Sequence, residues 1–196
     1  MHLFNTHKSQ VSIAELQYQI AIYEDEYAYK TLFFTIFPSL QNFAFSIVKS
    51  RVLAEEIASD LLLDVWIRRQ KLLDIENLPV YLFVGAKRAA VHRLKQEHKH
   101  SNFAIENLEI EFISDYLNPQ ETTELHELQK KVLNAVKELP PSCQLIYKLA
   151  KEDKLKYKEI AHLLDLSIKT IDHQLSIALK KIALAIHLPP IKKNRP

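Results

Sequence analysis

The sequence predicts an all-α protein: two small helical domains joined by a linker, the second with a helix-turn-helix. Three observations carry this. Apolar residues recur at three- and four-residue spacing through most of the chain, the period of helices with one inward face. The period fades over 101–117, where Glu106, Glu109, Glu111 and Asp115 make an acidic stretch. Residues 156–183, KYKEIAHLLDLSIKTIDHQLSIALKKIA, space a short apolar-faced helix, a three-residue break and a longer amphipathic helix. The expected division is a first domain over 1–100, a linker over 101–117, a second domain over 118–188 and a basic tail over 189–196.

In the first domain, Ile13, Leu16, Ile20 and Tyr23 keep a helical period up to a solvated bend at Glu24, Asp25 and Glu26. Pro38 lacks an N–H and clashes with the preceding turn, so residues 29–48 read as two buried helical pieces. Phe33, Phe34, Phe37, Phe43 and Phe45 supply aromatic volume to the core. The run over 31–48 is uncharged, but Pro38, Gln41 and Asn42 with several hydroxyl residues make it too polar for a membrane span.

A strongly amphipathic helix follows over 53–71. Ala54, Ile57, Ala58, Leu61, Val65 and Trp66 line its inner side, and Glu55, Glu56, Asp60, Asp64, Arg68 and Arg69 lie outside. A short connector over 72–78 leads to Pro79, which suits a first helical turn. The helix from Val80 turns Leu82, Phe83, Ala86, Ala90 and Leu94 inward and a basic cluster outward. Tyr81 and Phe83 precede that cluster. Aromatic rings beside Lys and Arg suit a single nucleic-acid strand, whose bases stack while its phosphates meet the charges, although most such aromatics belong to a core.

Beyond the acidic linker, Asn118 as cap, Pro119 in the first turn and Glu121 three beyond the cap announce a new helix. Leu125, Leu128, Val132, Leu133, Val136 and Leu139 form its stripe, and Pro140 with Pro141 stops it before a helix over 142–151. In the helix-turn-helix, Ile160, Ala161 and Leu164 face inward, and Asp165, Leu166 and Ser167 make the break, with Ser167 as N-cap of the second helix. That helix turns Ile168, Ile171, Leu175, Ala178, Leu179 and Ile182 inward and Lys169, Asp172, His173, Ser176 and Lys180 outward. A polar, partly cationic outer face is what a helix needs to reach base edges and phosphates. The same spacing also occurs in ordinary helical bundles.

Composition narrows the chemistry. With 26 Lys plus Arg against 24 Asp plus Glu in 196 residues, no overall field marks a nucleic-acid partner, but the charge is clustered. Lys87, Arg88, Arg93, Lys95 and Lys99 face only Glu97 in their stretch, and Lys192, Lys193 and Arg195 sit in the tail. The lone Cys143 can form neither an internal disulfide nor a cysteine-based zinc site, which points to the cytoplasm. The single glycine, Gly85, excludes glycine-rich phosphate loops, and the first ten residues lack the pattern of a secretion signal. His92 and His98 stand about 240° apart on one helix and cannot converge on an ion. Glu159 and His162 have the spacing of half a di-iron site, with no second copy. No catalytic constellation, metal or cofactor is expected.

The stretch LPPSCQLIYKLAKEDKLKYKEIAHLLDLSIKTIDHQLSIALKKI resembles region four of bacterial RNA polymerase sigma factors of the extracytoplasmic-function type. The proline pair with Cys143, the Tyr-Lys-Glu-Ile-Ala helix and the Ser-x-Lys-Thr-Ile start of the second helix carry the likeness. Upstream, LAEEIASDLLLDVWIRRQKL followed by LPVYLFVGAKRAAVHRLK resembles region two of the same family. Together the two blocks span about 27–182. Lys154 and Asp165 stand where the family commonly has glycine, Lys156 where it has a Ser cap, Ser59 where it has Gln, and Arg88 and His92 where Asn and Asp are frequent.

The resemblance implies a non-enzymatic, cytoplasmic sigma factor that binds core RNA polymerase and directs it to promoter DNA. It implies core-polymerase contacts at Glu55, Glu56, Asp60 and Arg68. It implies minus-ten contacts at Asn77, Tyr81, Lys87, Arg88, His92, Arg93 and Lys95, and minus-thirty-five contacts at Lys158, Lys169, Thr170, Asp172, His173, Ser176 and Lys180. Whether an anti-sigma factor holds the protein stays open. Two other readings also stay open: a stand-alone helix-turn-helix regulator of duplex DNA, and a helical metal enzyme using Glu159 and His162.

Overall fold

A computed structural model of the chain describes residues 11–97 and 124–186. The expected linker, the Asn118 and Pro119 helix start, Lys99 and the basic tail lie outside the described residues. All regular structure among the described residues is helical, as the periodicity predicts. The first four α-helices are α1 (Ile13–Tyr23), α2 (Glu26–Val48), α3 (Arg51–Ile67) and α4 (Leu78–Glu97), with a 3-10 helix over Arg69–Asp74. The second group is α5 (Glu124–Lys137), α6 (Pro141–Lys151), α7 (Tyr157–Leu164) and α8 (Ile168–Ala185).

Local chemistry sets the first boundaries. Ser12 caps α1 by accepting from the Glu15 N–H at 3.1 Å. Glu24 ends α1 in the left-handed conformation (φ 51°), and Asp25 then accepts from the N–H groups of Tyr27 and Ala28 to start α2. Ser50 caps α3 in the same manner.

α2 is the axis of the first domain and packs against α1, α3 and α4. Ala28, Leu32, Ile36, Leu40, Phe43 and Ile47 form its buried stripe. The expected break at Pro38 does not occur: α2 runs through it as one helix. The carbonyl that Pro38 leaves without its helical donor belongs to Phe34, which is on the exposed side of the helix at 67% exposed. Phe34 is accordingly not core. Phe43 meets Phe83 edge to face at 5.3 Å inside the bundle, while Phe33 and Phe37 stack at its margin.

By length and composition α2 could cross a membrane, but half of its most apolar window is buried inside this bundle. Tyr23 also leaves the core, at 68% exposed. In α3 Leu62 is fully buried with Ala54 and Ala58, and Leu61, expected inward, is half-buried against Gly85 of α4. A Cβ on Gly85 would lie 2.8 Å from Leu61 Cδ2, so the single glycine serves a close helix approach.

Buried Gln17 is a feature the apolar pattern did not reveal. Its Nε2 donates to the carbonyls of Leu72 and Ile75 at 2.6 and 2.7 Å, pinning the 3-10 turn to α1. Arg69, expected outside, lies over the Trp66 ring at 4.8 Å and donates to Glu24.

In the second domain α5, α6 and α7 all pack on α8. Ile146, Leu149, Ile160, Leu163, Ile171 and Leu175 are buried in an apolar core continuous with that of the first domain, and Ala135, Val136, Leu139, Cys143, Ala178 and Ile182 form a second cluster between α5, α6 and α8. Leu128, expected on the stripe of α5, is 45% exposed. Cys143 is buried, its thiol donating to Gln174 Oε1, and burial raises its pKa.

Candidate nucleic-acid interface

The helix-turn-helix forms from α7 and α8 as the spacing predicts. Ser167 accepts from the Thr170 N–H at 3.0 Å, which places Thr170 and Lys169 in the first turn of α8. Lys169, His173 and Lys180 are exposed on that helix, Asp172, Thr170 and Ser176 are half-buried, and Lys158 is exposed on α7. The Ser176 hydroxyl donates to the Asp172 carbonyl, which ties it to its own helix. Ile168, expected inward, is instead 46% exposed at the first helical position. It precedes the point where α8 reaches the core at Ile171. The outer face of α8 therefore presents two cations, an imidazole and an apolar side chain at its N-terminal end.

The turn geometry explains two non-glycine positions. Lys154 and Asp165 adopt φ 59° and 56°, the left-handed region where a Cβ is disfavoured. Lys156 has no side chain able to accept a capping bond. Glu159 reaches back instead, accepting from the Lys156 N–H at 2.7 Å.

On α4, Tyr81 is 49% exposed, and Arg88, His92 and Lys95 are exposed. Phe83 is core, 1% exposed, so only Tyr81 of that aromatic pair remains available for stacking. Arg93 is ion-paired with Glu56 of α3, which joins a residue expected at DNA to one expected at polymerase. Asn77 caps α4, accepting from the Val80 N–H at 3.2 Å, while its Nδ2 donates to Glu159 Oε1 at 2.9 Å. Lys87 pairs with Asp165 at 2.5 Å and keeps only 20% of its side chain exposed. Two of the residues expected at DNA, the cap of α4 and Lys87 within it, are thus bonded to α7 and its C-cap.

On α3, Glu55, Glu56, Asp60 and Arg68 are exposed, and Arg68 pairs with Asp64 at 3.3 Å. Val52, Leu63 and Ile67 are exposed on the same helix at 76%, 52% and 62%. With Glu56 they fall at four-, seven- and four-residue steps, one stripe of mixed apolar and acidic character. That spacing was present in the sequence, but apolar residues on a helix with a complete buried stripe carry no separate signal.

Between the two domains lies a cavity of 660 Å³, with Ile36, Ser39, Asn42, Leu133, Asp153 and Leu155 in its wall. Burial pushes the Asp153 carboxyl up to about 6, against a hydrogen bond from Ser39 that lowers it. Burial likewise lowers the Lys148 ammonium. His162 is exposed on α7 while Glu159 is occupied by Asn77 and Lys156, and among the described residues no three metal-ligating side chains converge.

Residues 129–182 match the sigma-70, region 4 family. Among solved structures, the sigma factor RpoE in complex with the anti-sigma factor NepR from Bartonella quintana is similar at 20% identity, covering 85% of this chain and 98% of that chain, with a TM-score of 0.47. No curated protein matches the chain.

Proposed function

We propose that the chain, whose residues 129–182 match the sigma-70, region 4 family, acts as a sigma factor of the extracytoplasmic-function type. It binds core RNA polymerase in the cytoplasm and directs promoter-specific initiation, without catalytic residues of its own. The observation that supports this reading is the presence in one chain of two exposed faces, the polar and cationic face of α8 in a helix-turn-helix and the aromatic and cationic face of α4. A groove-filling helix suits paired minus-thirty-five DNA, and a ring beside cations suits a melted minus-ten strand.

Lys169, His173 and Lys180 meet the duplex, with Lys158 on its phosphates and Thr170, Asp172 and Ser176 supporting the face. Tyr81 stacks on an exposed base while Arg88, His92 and Lys95 meet the strand, joined by Asn77, Lys87 and Arg93 once their present partners let go. Glu55, Glu56, Asp60 and Arg68, with Val52, Leu63 and Ile67 between them, face the polymerase. Capture of unpaired bases offsets the cost of unpairing, a few kcal/mol per base by order of magnitude.

Transcription in vitro with cognate core enzyme tests the reading. Promoter-specific initiation that depends on the protein is the expected result. A folded protein that binds an operator duplex by itself, forms a symmetric dimer and never redirects core enzyme would instead be a stand-alone regulator.

A further inference from the structure

One face of α2 is polar along an otherwise apolar helix. Thr35, Ser39 and Asn42 follow one another at four- and three-residue steps, and they belong to the run that is too polar for a membrane span. They line the 660 Å³ cavity between the domains, together with Lys148 and Asp153 of the second domain. The walls are fixed relative to one another, because one apolar core runs from α2 and α4 into α6, α7 and α8.

The polar end of this cavity has acceptors without donors. Asn42 Oδ1 is buried and has no hydrogen-bond partner, one of two such side-chain atoms among the described residues. Asp153 accepts from Ser39, so the Ser39 proton is already used there. The other charged groups in the wall are committed or in solvent. Lys148 pairs with Glu152 at 3.9 Å, and burial disfavours its ammonium. Glu159 accepts from Asn77 and from the Lys156 N–H, and Lys137 and Lys154 are exposed. Ile36, Leu133, Val136 and Leu155 supply apolar wall. A water molecule can satisfy Asn42 but gives nothing to that wall. A molecule with one donating end and an apolar body satisfies both, and the volume lies within the range of small-ligand sites.

We infer that this cavity is a binding site for a small primary amine with an apolar body, its ammonium donating to Asn42 Oδ1 and Asp153 and its hydrocarbon lying along Ile36, Leu133 and Val136. An ammonium carries three donors and no acceptor, which matches the polar end. A carboxylate ligand would meet Asn42 Oδ1 and Asp153 with like polarity, and the neighbouring cation, Lys148, already has Glu152. With its value at about 6, Asp153 is ionised at neutral pH yet poorly solvated, and an incoming ammonium relieves that cost. Lys148 opposes the ligand's charge and Glu152 favours it, so as a pair they largely cancel. The site goes beyond the sigma-factor reading and does not depend on it.

The test titrates the full chain near neutral pH with four probes: hexylamine, hexan-1-ol, hexanoate and methylamine. Binding is read from backbone amide shifts in nuclear magnetic resonance and by calorimetry. The variants are Asp153→Asn, which removes the charge, and Asn42→Leu, which removes the unpartnered acceptor at similar volume. Loss of an unsatisfied acceptor is close to neutral for folding, so the melting temperature of Asn42→Leu should hold. Glu127→Gln, on an exposed position of α5, controls for net charge.

Expected is saturable hexylamine binding with shifts centred on 35–42 and 148–155. Hexan-1-ol and methylamine, each lacking one half of the ligand, should bind about tenfold more weakly, and hexanoate more weakly still. Hexylamine should bind about tenfold more weakly to Asp153→Asn and about threefold more weakly to Asn42→Leu, with Glu127→Gln like wild type. No saturable hexylamine binding up to about 10 mM would overturn the inference. So would hexanoate or methylamine binding as well as hexylamine, or both cavity variants keeping wild-type affinity.

Discussion

Asp153 offers a stability test whose sign is fixed by burial. It sits in the connection after α6, in the wall of the interdomain cavity, and burial is the largest influence on it. Ser39 and Lys148 favour the ionised form, Glu152 opposes it, and the result is a value of about 6 against an ordinary 3.8. Below the ordinary value both folded and unfolded chains hold the proton, and Asp153 costs nothing. As pH rises toward 6 the unfolded chain releases its proton first, so folding loses free energy across that window and the loss is complete above it. A shift of about two units is worth about 3 kcal/mol. Since the carboxyl is only partly covered, about 1–3 kcal/mol is the usable range.

Asp153→Asn removes the titration and keeps an acceptor for Ser39. Urea unfolding of both proteins at a series of pH values should give equal stability near the ordinary carboxylate range. The variant should gain about 1–3 kcal/mol by neutral pH. A difference that stays constant with pH, or a variant that loses ground as pH rises, would show that burial does not control this group.

Two further outcomes are expected. Lys154→Gly relieves a left-handed residue at φ 59° and should raise stability by about 0.5–1 kcal/mol, read as an upward shift in melting temperature, because the steric relief exceeds the added chain entropy. Lys169→Ala and His173→Ala should weaken promoter duplex binding about threefold to tenfold with melting temperatures unchanged, since both side chains are exposed on α8; a large fall in melting temperature would mean that the helix is turned the other way.

Helices, their caps and the helix-turn-helix were legible from residue order alone, because they depend on neighbours three or four positions apart. Ser167 as a cap, Pro79 in a first turn and the bend at Glu24 and Asp25 are of this kind. So is the choice of Ile171, Leu175 and Ile182 for the core of α8. Local rules misread positions whose burial depends on what arrives from elsewhere. Pro38 stays inside α2 at a turn whose preceding residue Phe34 lies on the exposed side of the helix, and Ile168 is exposed because α8 meets the core only further along.

The candidate site divides the same way. Periodicity picked out the outward face of α8 and the basic face of α4, since charge clustering is local. It did not pair Asn77 with Glu159 or Lys87 with Asp165, partners 82 and 78 residues apart. Nor did it raise the value of Asp153, whose burial between domains has no counterpart in its flanking sequence. Short-range order thus determined what each helix presents, and only tertiary packing decided which of those faces is already occupied, because long-range partners are chosen by shape and charge after the helices exist.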